Sequence, residues 1–437
     1  MNTPQSFSPP LRSPEQLRGG PGVSRVIVIG AGLAGLVAAN RLSSGGARVT
    51  LLTKGIGGLP LSQGTIDVLG YSPDRVTNPI LTLSAIASSR PDHPYTAIGA
   101  AAVHSGIDYL KALLPDLLVG DPEANYQLPT AVGAIRPTCL VQPTMVAGHV
   151  ADGARLVIVG LRQLKDFHAK LVAENLGRTP LPEGGRLTAR HVLLDVPPRD
   201  EAESFALTYA RAFDDPDYRK RFAAALKPLL SDGETVGMPA VLGVKDLSAW
   251  KDFTEQLGHP VFEIPLPPPS VPGMRLNHAL TEAAKASGTR VVSGSRVVSV
   301  RVEDGLVKGV SMATAGATRE FTGDAFVLAT GGFESGALEL DSYGRVTESL
   351  FNLPLAGAEG QLVHGNYWGA EQPLFKVGVR VGPDMRVLDG SGAVVHPNLF
   401  AAGGILGGSS RWKEKSGDGI AVGSAVRAAD SILKEWA

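Results

Sequence analysis

The chain has 437 residues, of which 43% are hydrophobic and 19% charged, with a formal net charge of -1. That balance suits a globular protein of two packed lobes and excludes the strong basic bias needed to hold nucleic acid or an anionic membrane surface. Cys139 is the single cysteine, so this chain alone can build neither an intrachain disulfide framework nor a four-cysteine iron–sulfur cluster, and a reducing compartment is expected.

In chain order, residues 1–22 are rich in Ser, Pro and Arg without apolar periodicity and predict a disordered arm. Residues 26–39 form an apolar and glycine run that is too short to span a bilayer. Its glycines are spaced for a turn, so it is read neither as a signal-peptide core nor as an anchor, and no other stretch reaches transmembrane length. Arg25–Ile29 predicts a buried parallel strand, residues 33–42 a helix and residues 48–52 a second strand, together one βαβ unit. A Gly-, Ser- and Pro-rich loop follows over residues 55–75.

Residues 80–265 change texture. Strand-like runs at 156–160, 192–196, 235–241 and Val261–Ile264 alternate with helical stretches at 161–176, 201–213, 219–229 and 245–257. That alternation predicts an inserted α/β lobe, closed by the extended segment holding Pro265, Pro267, Pro268 and Pro269. A helix over 274–287 comes next. Antiparallel strands are expected at 291–293, Val297–Glu303 and 308–313, with turns at Asp304-Gly305 and 314–316. Buried strands at 326–330 and 399–402 and a closing helix from Gly419 to Trp436 complete the reading.

Three constellations carry the chemistry. In the first, Gly30, Gly32 and Gly35 leave a β-branched strand and open a helix. There the first glycine permits the turn, the second admits a pyrophosphate to the backbone and the third allows close helix–strand packing. Where a ribose-binding carboxylate usually ends the second strand, Thr53-Lys54 stand instead; this favours FMN, which has no adenosine, with FAD the alternative. The second constellation is Ala329-Thr330-Gly331-Gly332, ending a buried strand. The third is Ala401-Ala402-Gly403-Gly404 followed by Ser416-Gly417-Asp418-Gly419, a last strand, a glycine turn and a helix whose N-terminal amides can face a flavin oxygen. In this order they predict an α/β, Rossmann-like two-dinucleotide-binding-domain flavoprotein with an inserted α/β cap lobe. The flavin-binding domain is drawn from residues 22–75, 266–345 and 391–437, the cap lobe from 80–265, with 346–390 as a connecting segment.

The block from the 274–287 helix to Ala329-Thr330-Gly331-Gly332, with the tail, resembles the fumarate reductase and succinate dehydrogenase flavoprotein superfamily. Leu61-Ser62-Gln63-Gly64-Thr65-Ile66-Asp67, His93-Pro94-Tyr95, Met238-Pro239-Ala240 and the run from Leu266 to Leu276 resemble the B subunits of anaerobic glycerol-3-phosphate dehydrogenase. The likeness runs from about residue 24 to 430 and includes the missing carboxylate. It implies a flavin-dependent subunit of a complex oxidising sn-glycerol 3-phosphate to dihydroxyacetone phosphate. FMN would sit on this subunit, with Ser62, Gln63 and Gly64 on the cofactor. It also implies a second flavoprotein subunit and an iron–sulfur subunit as partners, with electrons passing to the quinone pool. The expected location is cytoplasmic, peripheral at the inner face of the membrane through those partners. Two alternatives stay open: a stand-alone fumarate reductase-like dehydrogenase or reductase on another substrate, and a non-catalytic electron-transfer or assembly subunit.

Among single side chains, Arg275 follows the proline-rich approach at a helix start and is the candidate substrate-anion binder, by a bidentate fork. A solvated helix-start arginine is the plainer reading. His93, His364 and Arg411 read as packing or surface residues, the catalytic base is unassigned, and no metal-ligand spacing or hydrolase triad is evident.

Overall fold

The computed structural model describes residues 24–181, 184–314, 316–366 and 369–435. The expected N-terminal arm and Trp436 lie outside the described residues. Arg25–Ile29 begins the central sheet because four consecutive buried apolar residues, Val26 to Ile29, fit only a strand covered on both faces. Each such side chain contributes about 1.5–3 kcal/mol on full burial. The sheet is five-stranded and wholly parallel, in the order Arg290–Ser293, Arg48–Thr53, Arg25–Ile29, Ala325–Leu328, Leu399–Ala401. Its register pairs Val28 with Leu51 on one side and with Val327 on the other. Strands far apart in sequence thus lie side by side, with the chain crossing between them.

Helix Leu33–Ser44 is buried almost all round, since it lies between the sheet and the helices Val271–Ala286 and Gly417–Glu435. Its Asn40 amide ties two of these helices by donating to Leu280 O at 3.1 Å. Helix Ala100–Leu113 packs on Gly417–Glu435 in turn. Among the described residues no helix is long and apolar enough to cross a membrane.

A second parallel sheet, in the order Val261–Ile264, Thr235–Pro239, Arg155–Leu161, Thr188–Leu194, carries its own apolar core with Phe213, Phe222, Phe253 and Phe262.

Several expectations need correction. The second core draws on residues 135–271, whereas residues 80–118 bury Leu83, Ile107, Leu110 and Leu118 in the first core. The change of texture near residue 80 marks helices added to the flavin-domain core, and the lobe boundary expected there lies further along. Residues 346–390 also pack on the first core, through Leu353, Val379 and Met385, as short antiparallel pairs. The strand expected at 291–293 joins the edge of the parallel sheet beside Arg48–Thr53. The antiparallel sheet is Val297–Glu303, Leu306–Thr314 and Ala317–Thr322; the last strand has mostly exposed residues and so lacks an apolar signature. The expected helix over 161–176 is in fact helix Ala169–Arg178, because residue 161 still belongs to the Arg155–Leu161 strand.

Candidate cofactor site

The phosphate loop is shaped by two close approaches. Gly30 has φ +109°, and a Cβ there would collide with the Ala329 carbonyl oxygen; a Cβ on Gly35 would collide with Gly30 O. These two glycines let the strand Ala325–Leu328 and the helix Leu33–Ser44 close on one another. Gly32 differs. It is the N-cap of that helix with φ -75°, has no side-chain cap bond, and a Cβ there would meet nothing within 4 Å. Its first-turn amides therefore look into open space, where an anion fits.

That space is a cleft of about 630 Å³. Gly30, Gly32, Thr53, Lys54, Thr330, Gly331, Gly404 and Ala421 line it, together with residues that carry no motif in the sequence, Arg296, Glu334 and Glu348. Thr53 spends its hydroxyl proton within its own loop: Oγ1 donates to Gly55 O at 2.6 Å. Glu348 is a buried carboxylate on the wall, accepting from Phe351 N at 2.7 Å and Leu350 N at 3.1 Å. Burial pushes its pKa up, and those amides only partly offset this. Arg296 donates to Gly336 O at 2.6 Å and lines the cleft with Ser295 and Val297. Thr330 Oγ1 is buried with no hydrogen-bond partner among the described residues.

Ser62, Gln63, Gly64, Gly417, Asp418 and Gly419 lie outside this cleft's lining. Gly417, Asp418 and Gly419 begin helix Gly417–Glu435, and Ala421, within its first turn and a half, does line the cleft. Asp67 ties the two loops: its N donates to Asp418 Oδ2 at 3.1 Å, and its O accepts from Gly419 N at 2.9 Å. Desolvation pushes the Asp418 carboxyl up to about 6, against the opposing pull of Arg136, while Arg136 itself pairs with Asp67. Gly64 is wedged against Pro272, and its carbonyl accepts from Gln142 Nε2 at 3.2 Å. Gly403 packs on Ala34, its N donating to Ser424 Oγ at 2.9 Å.

Family comparison agrees with this geometry. The FAD binding domain family matches residues 25–420. A Halobacterium salinarum protein named as the probable B subunit of anaerobic glycerol-3-phosphate dehydrogenase is 31% identical, covering 93% of this chain and 96% of that protein. The B subunit of anaerobic glycerol-3-phosphate dehydrogenase from Pectobacterium atrosepticum is 30% identical, covering 94% and 98%. The chain belongs to this B-subunit family. Among solved structures, 3-ketosteroid delta1-dehydrogenase from Sterolibacterium denitrificans aligns with a TM-score of 0.46 and 14% identity, covering 95% of this chain and 100% of that one, a likeness too distant to bear on function.

For a B-subunit family member, the cleft suits a flavin nucleotide on two observations of its own. Gly32 leaves a cradle that any side chain would fill, and Thr330 keeps a buried hydroxyl that needs a partner. The chain is thus a flavoprotein of the oxidoreductase class.

The single side chains fall differently from expectation. Arg275 is not a fork open to substrate. Its side chain is 2% exposed; Nη1 bonds Glu263 Oε2 at 2.6 Å and Gln142 Oε1 at 3.2 Å, Nε donates to Gly243 O at 2.9 Å, and Nη2 bonds Glu263 Oε1 at 3.0 Å and also Gly243 O. All five N–H donors of a guanidinium are thereby used. The solvated reading fails as well, because Glu263 is buried beside it. His93 caps the short helix Pro94–Ile98: Nδ1 accepts from Tyr95 N at 3.1 Å, so Nε2–H donates to Glu414 at 3.1 Å. Burial pushes the Glu414 carboxyl up, and His93 and Ser416 more than offset it, leaving its pKa below the usual range. Arg411 supports the glycine turn, Nη1 donating to Gly404 O at 2.6 Å; burial lowers its pKa, with Glu334 acting the other way. His364 bonds through its backbone to Gln372 and does not line the cleft. Gln142 and Glu348 had no signal in sequence, since a lone amide and a lone carboxylate acquire meaning only from what faces them. Among the described residues no group of three His, Cys, Asp or Glu is placed to hold a metal ion.

Proposed function

We propose that this chain is the flavin-carrying subunit of a complex that oxidises sn-glycerol 3-phosphate to dihydroxyacetone phosphate, and that its cofactor is FAD. The single observation carrying the cofactor reading is that the cleft is lined beyond the phosphate loop as well, by Lys54 after strand Arg48–Thr53 and by Ser295, Arg296 and Val297 after the neighbouring strand Arg290–Ser293. We read this side as the place of an adenosine, which FMN lacks. The match to an FAD binding domain supports the same choice over FMN.

The substrate assignment rests on the kinship with B subunits of anaerobic glycerol-3-phosphate dehydrogenase. Turning the secondary alcohol into a ketone removes a hydride from carbon and a proton from oxygen, and a bound flavin supplies the two-electron acceptor. This chain's residues hold that acceptor: Gly32 and the first-turn amides at the phosphates, Thr330 by its free hydroxyl, and Ala421 of helix Gly417–Glu435 on the wall. One cysteine cannot form an iron–sulfur relay. Electrons therefore leave through partners, a second flavoprotein and a cysteine-rich iron–sulfur subunit, towards quinone at the inner face of the membrane.

Releasing the cofactor with acid and weighing it decides FAD against FMN. Anaerobic addition of sn-glycerol 3-phosphate to the reconstituted complex should bleach flavin bound to this chain. A flavin on this chain that stays oxidised while the complex turns over substrate would exclude its taking part in the reaction.

A further inference from the structure

The flavin cleft draws its lining from behind all five strands of the central sheet. Ser295 follows Arg290–Ser293, Lys54 follows Arg48–Thr53, Gly32 follows Arg25–Ile29, Gly331 follows Ala325–Leu328 and Gly404 follows Leu399–Ala401, in the spatial order of the strands. With the phosphates at Gly32 and the adenosine read onto the first two strand ends, the flavin ring is left the side of Gly331 and Gly404.

Arg411 stands behind that side. Its Nη1 donates to Gly404 O at 2.6 Å and to Leu406 O at 3.3 Å. A Cβ on Gly332 would lie 3.3 Å from Arg411 Nη2 and 3.1 Å from Glu334 Oε2, so both side chains flank the Gly331-Gly332 turn. The buried Arg219 and Arg275 each pair with a carboxylate, Asp252 and Glu263. Arg411 forms no ion pair among the described residues, although burial lowers its pKa. The acids around it are engaged or lie further off. Glu414, on the same short helix, is held by His93, Arg90 and Ser416. Asp418, beyond Gly417, accepts from Asp67 N and feels Arg136. Glu334 is exposed, and its pull on Arg411 only partly offsets the burial. A cation drawn out of water without a carboxylate becomes favourable when negative charge develops beside it.

Accepting two electrons with one proton leaves a flavin ring carrying one added negative charge. We infer that Arg411 is the counter-charge to that anion: from behind the Gly404 wall it stabilises the reduced flavin over the oxidised one, and so sets how readily this chain takes electrons from substrate. The inference rests on the reading of the cofactor as FAD with its adenosine beside Ser295 and Arg296. Arg411 also holds the glycine turn through Gly404 and Leu406, so charge and support have to be separated by experiment.

The test is a dye-equilibrated reductive titration of the flavin-loaded full chain, for wild type, Arg411→Gln and Arg411→Lys, with the released cofactor weighed in each. Arg411→Gln should hold flavin yet shift the ratio of reduced to oxidised flavin roughly tenfold towards oxidised, a fall of about 30 mV in the two-electron midpoint potential. Arg411→Lys keeps the charge and loses the fork, so its midpoint should stay near that of wild type. An unchanged midpoint in Arg411→Gln would overturn the inference and leave Arg411 a support of the turn. So would a midpoint in Arg411→Lys as low as that in Arg411→Gln. Where Arg411→Gln retains no flavin, Arg411→Lys decides: wild-type loading and midpoint uphold the counter-charge, and loss of flavin there too overturns it. FMN released from wild type would remove the adenosine reading, and the midpoint shifts would still decide the role of Arg411.

Discussion

Arg275 and Glu263 form an ion pair closed to solvent on both sides, 2.6 Å between Nη1 and Oε2, with Arg275 on the helix Val271–Ala286 and Glu263 on a strand of the second sheet. The pair joins the two lobes, because Arg275 also bonds the Gly243 carbonyl and Gln142. Arg275→Ala leaves the Glu263 charge buried and alone, which typically costs about 3–5 kcal/mol. The expected outcome is a large loss in denaturation midpoint. The double variant Arg275→Met, Glu263→Leu should recover part of it, since no charge is then stranded. An Arg275→Ala protein of wild-type stability with a raised KM would return this arginine to substrate binding.

Gly32→Val should separate folding from cofactor binding. The backbone there suits any residue, at φ -75°, and a Cβ meets no protein atom within 4 Å. The variant should unfold at the wild-type apoprotein's midpoint and yet bind little flavin, because its side chain fills the phosphate cradle. Flavin content measured by absorbance after gel filtration, beside circular dichroism of the same sample, reads both halves. Normal flavin loading would place the phosphates elsewhere.

Thr330→Val removes a buried hydroxyl that has no partner among the described residues. In the apoprotein this should leave stability equal or slightly higher, as an unpaired polar group is lost. In the holoprotein one hydrogen bond disappears, worth about 0.5–1.5 kcal/mol, or roughly two- to tenfold in flavin affinity. Flavin titration followed by fluorescence quenching measures it.

Asp418 sets a pH dependence. Its folded pKa, about 6, lies above the ordinary aspartate value of 3.8 because burial disfavours the charged form. Between those values the folded state holds a proton that the unfolded chain has released. The stability contributed by the neutral carboxyl is complete below the unfolded value and is lost as pH rises through the folded one. Asp418→Asn keeps an acceptor for Asp67 N and carries no charge at any pH. Relative to wild type it should gain stability as pH rises from about 4 to about 7, the window that spans both values, read as the difference in denaturation midpoints across that range. A constant difference would show that Asp418 does not titrate there.

Local signals reached far into this protein. The βαβ unit with Gly30, Gly32 and Gly35, the Ala329–Gly332 strand end and the Gly403-Gly404 turn were readable because strand, turn and helix preferences act over a few neighbouring residues, and so was kinship with the B subunits. Which of these segments meet was decided only in three dimensions. The edge strand Arg290–Ser293, the helices over 79–113 in the first core, and the cleft wall at Arg296 and Glu348 depend on contacts between residues far apart along the chain. The fate of Arg275 shows the reason most plainly. A charged side chain at a helix start is chemically the same whether it faces substrate or a buried carboxylate, and only the tertiary packing that sets Glu263 and Gly243 against it determined which.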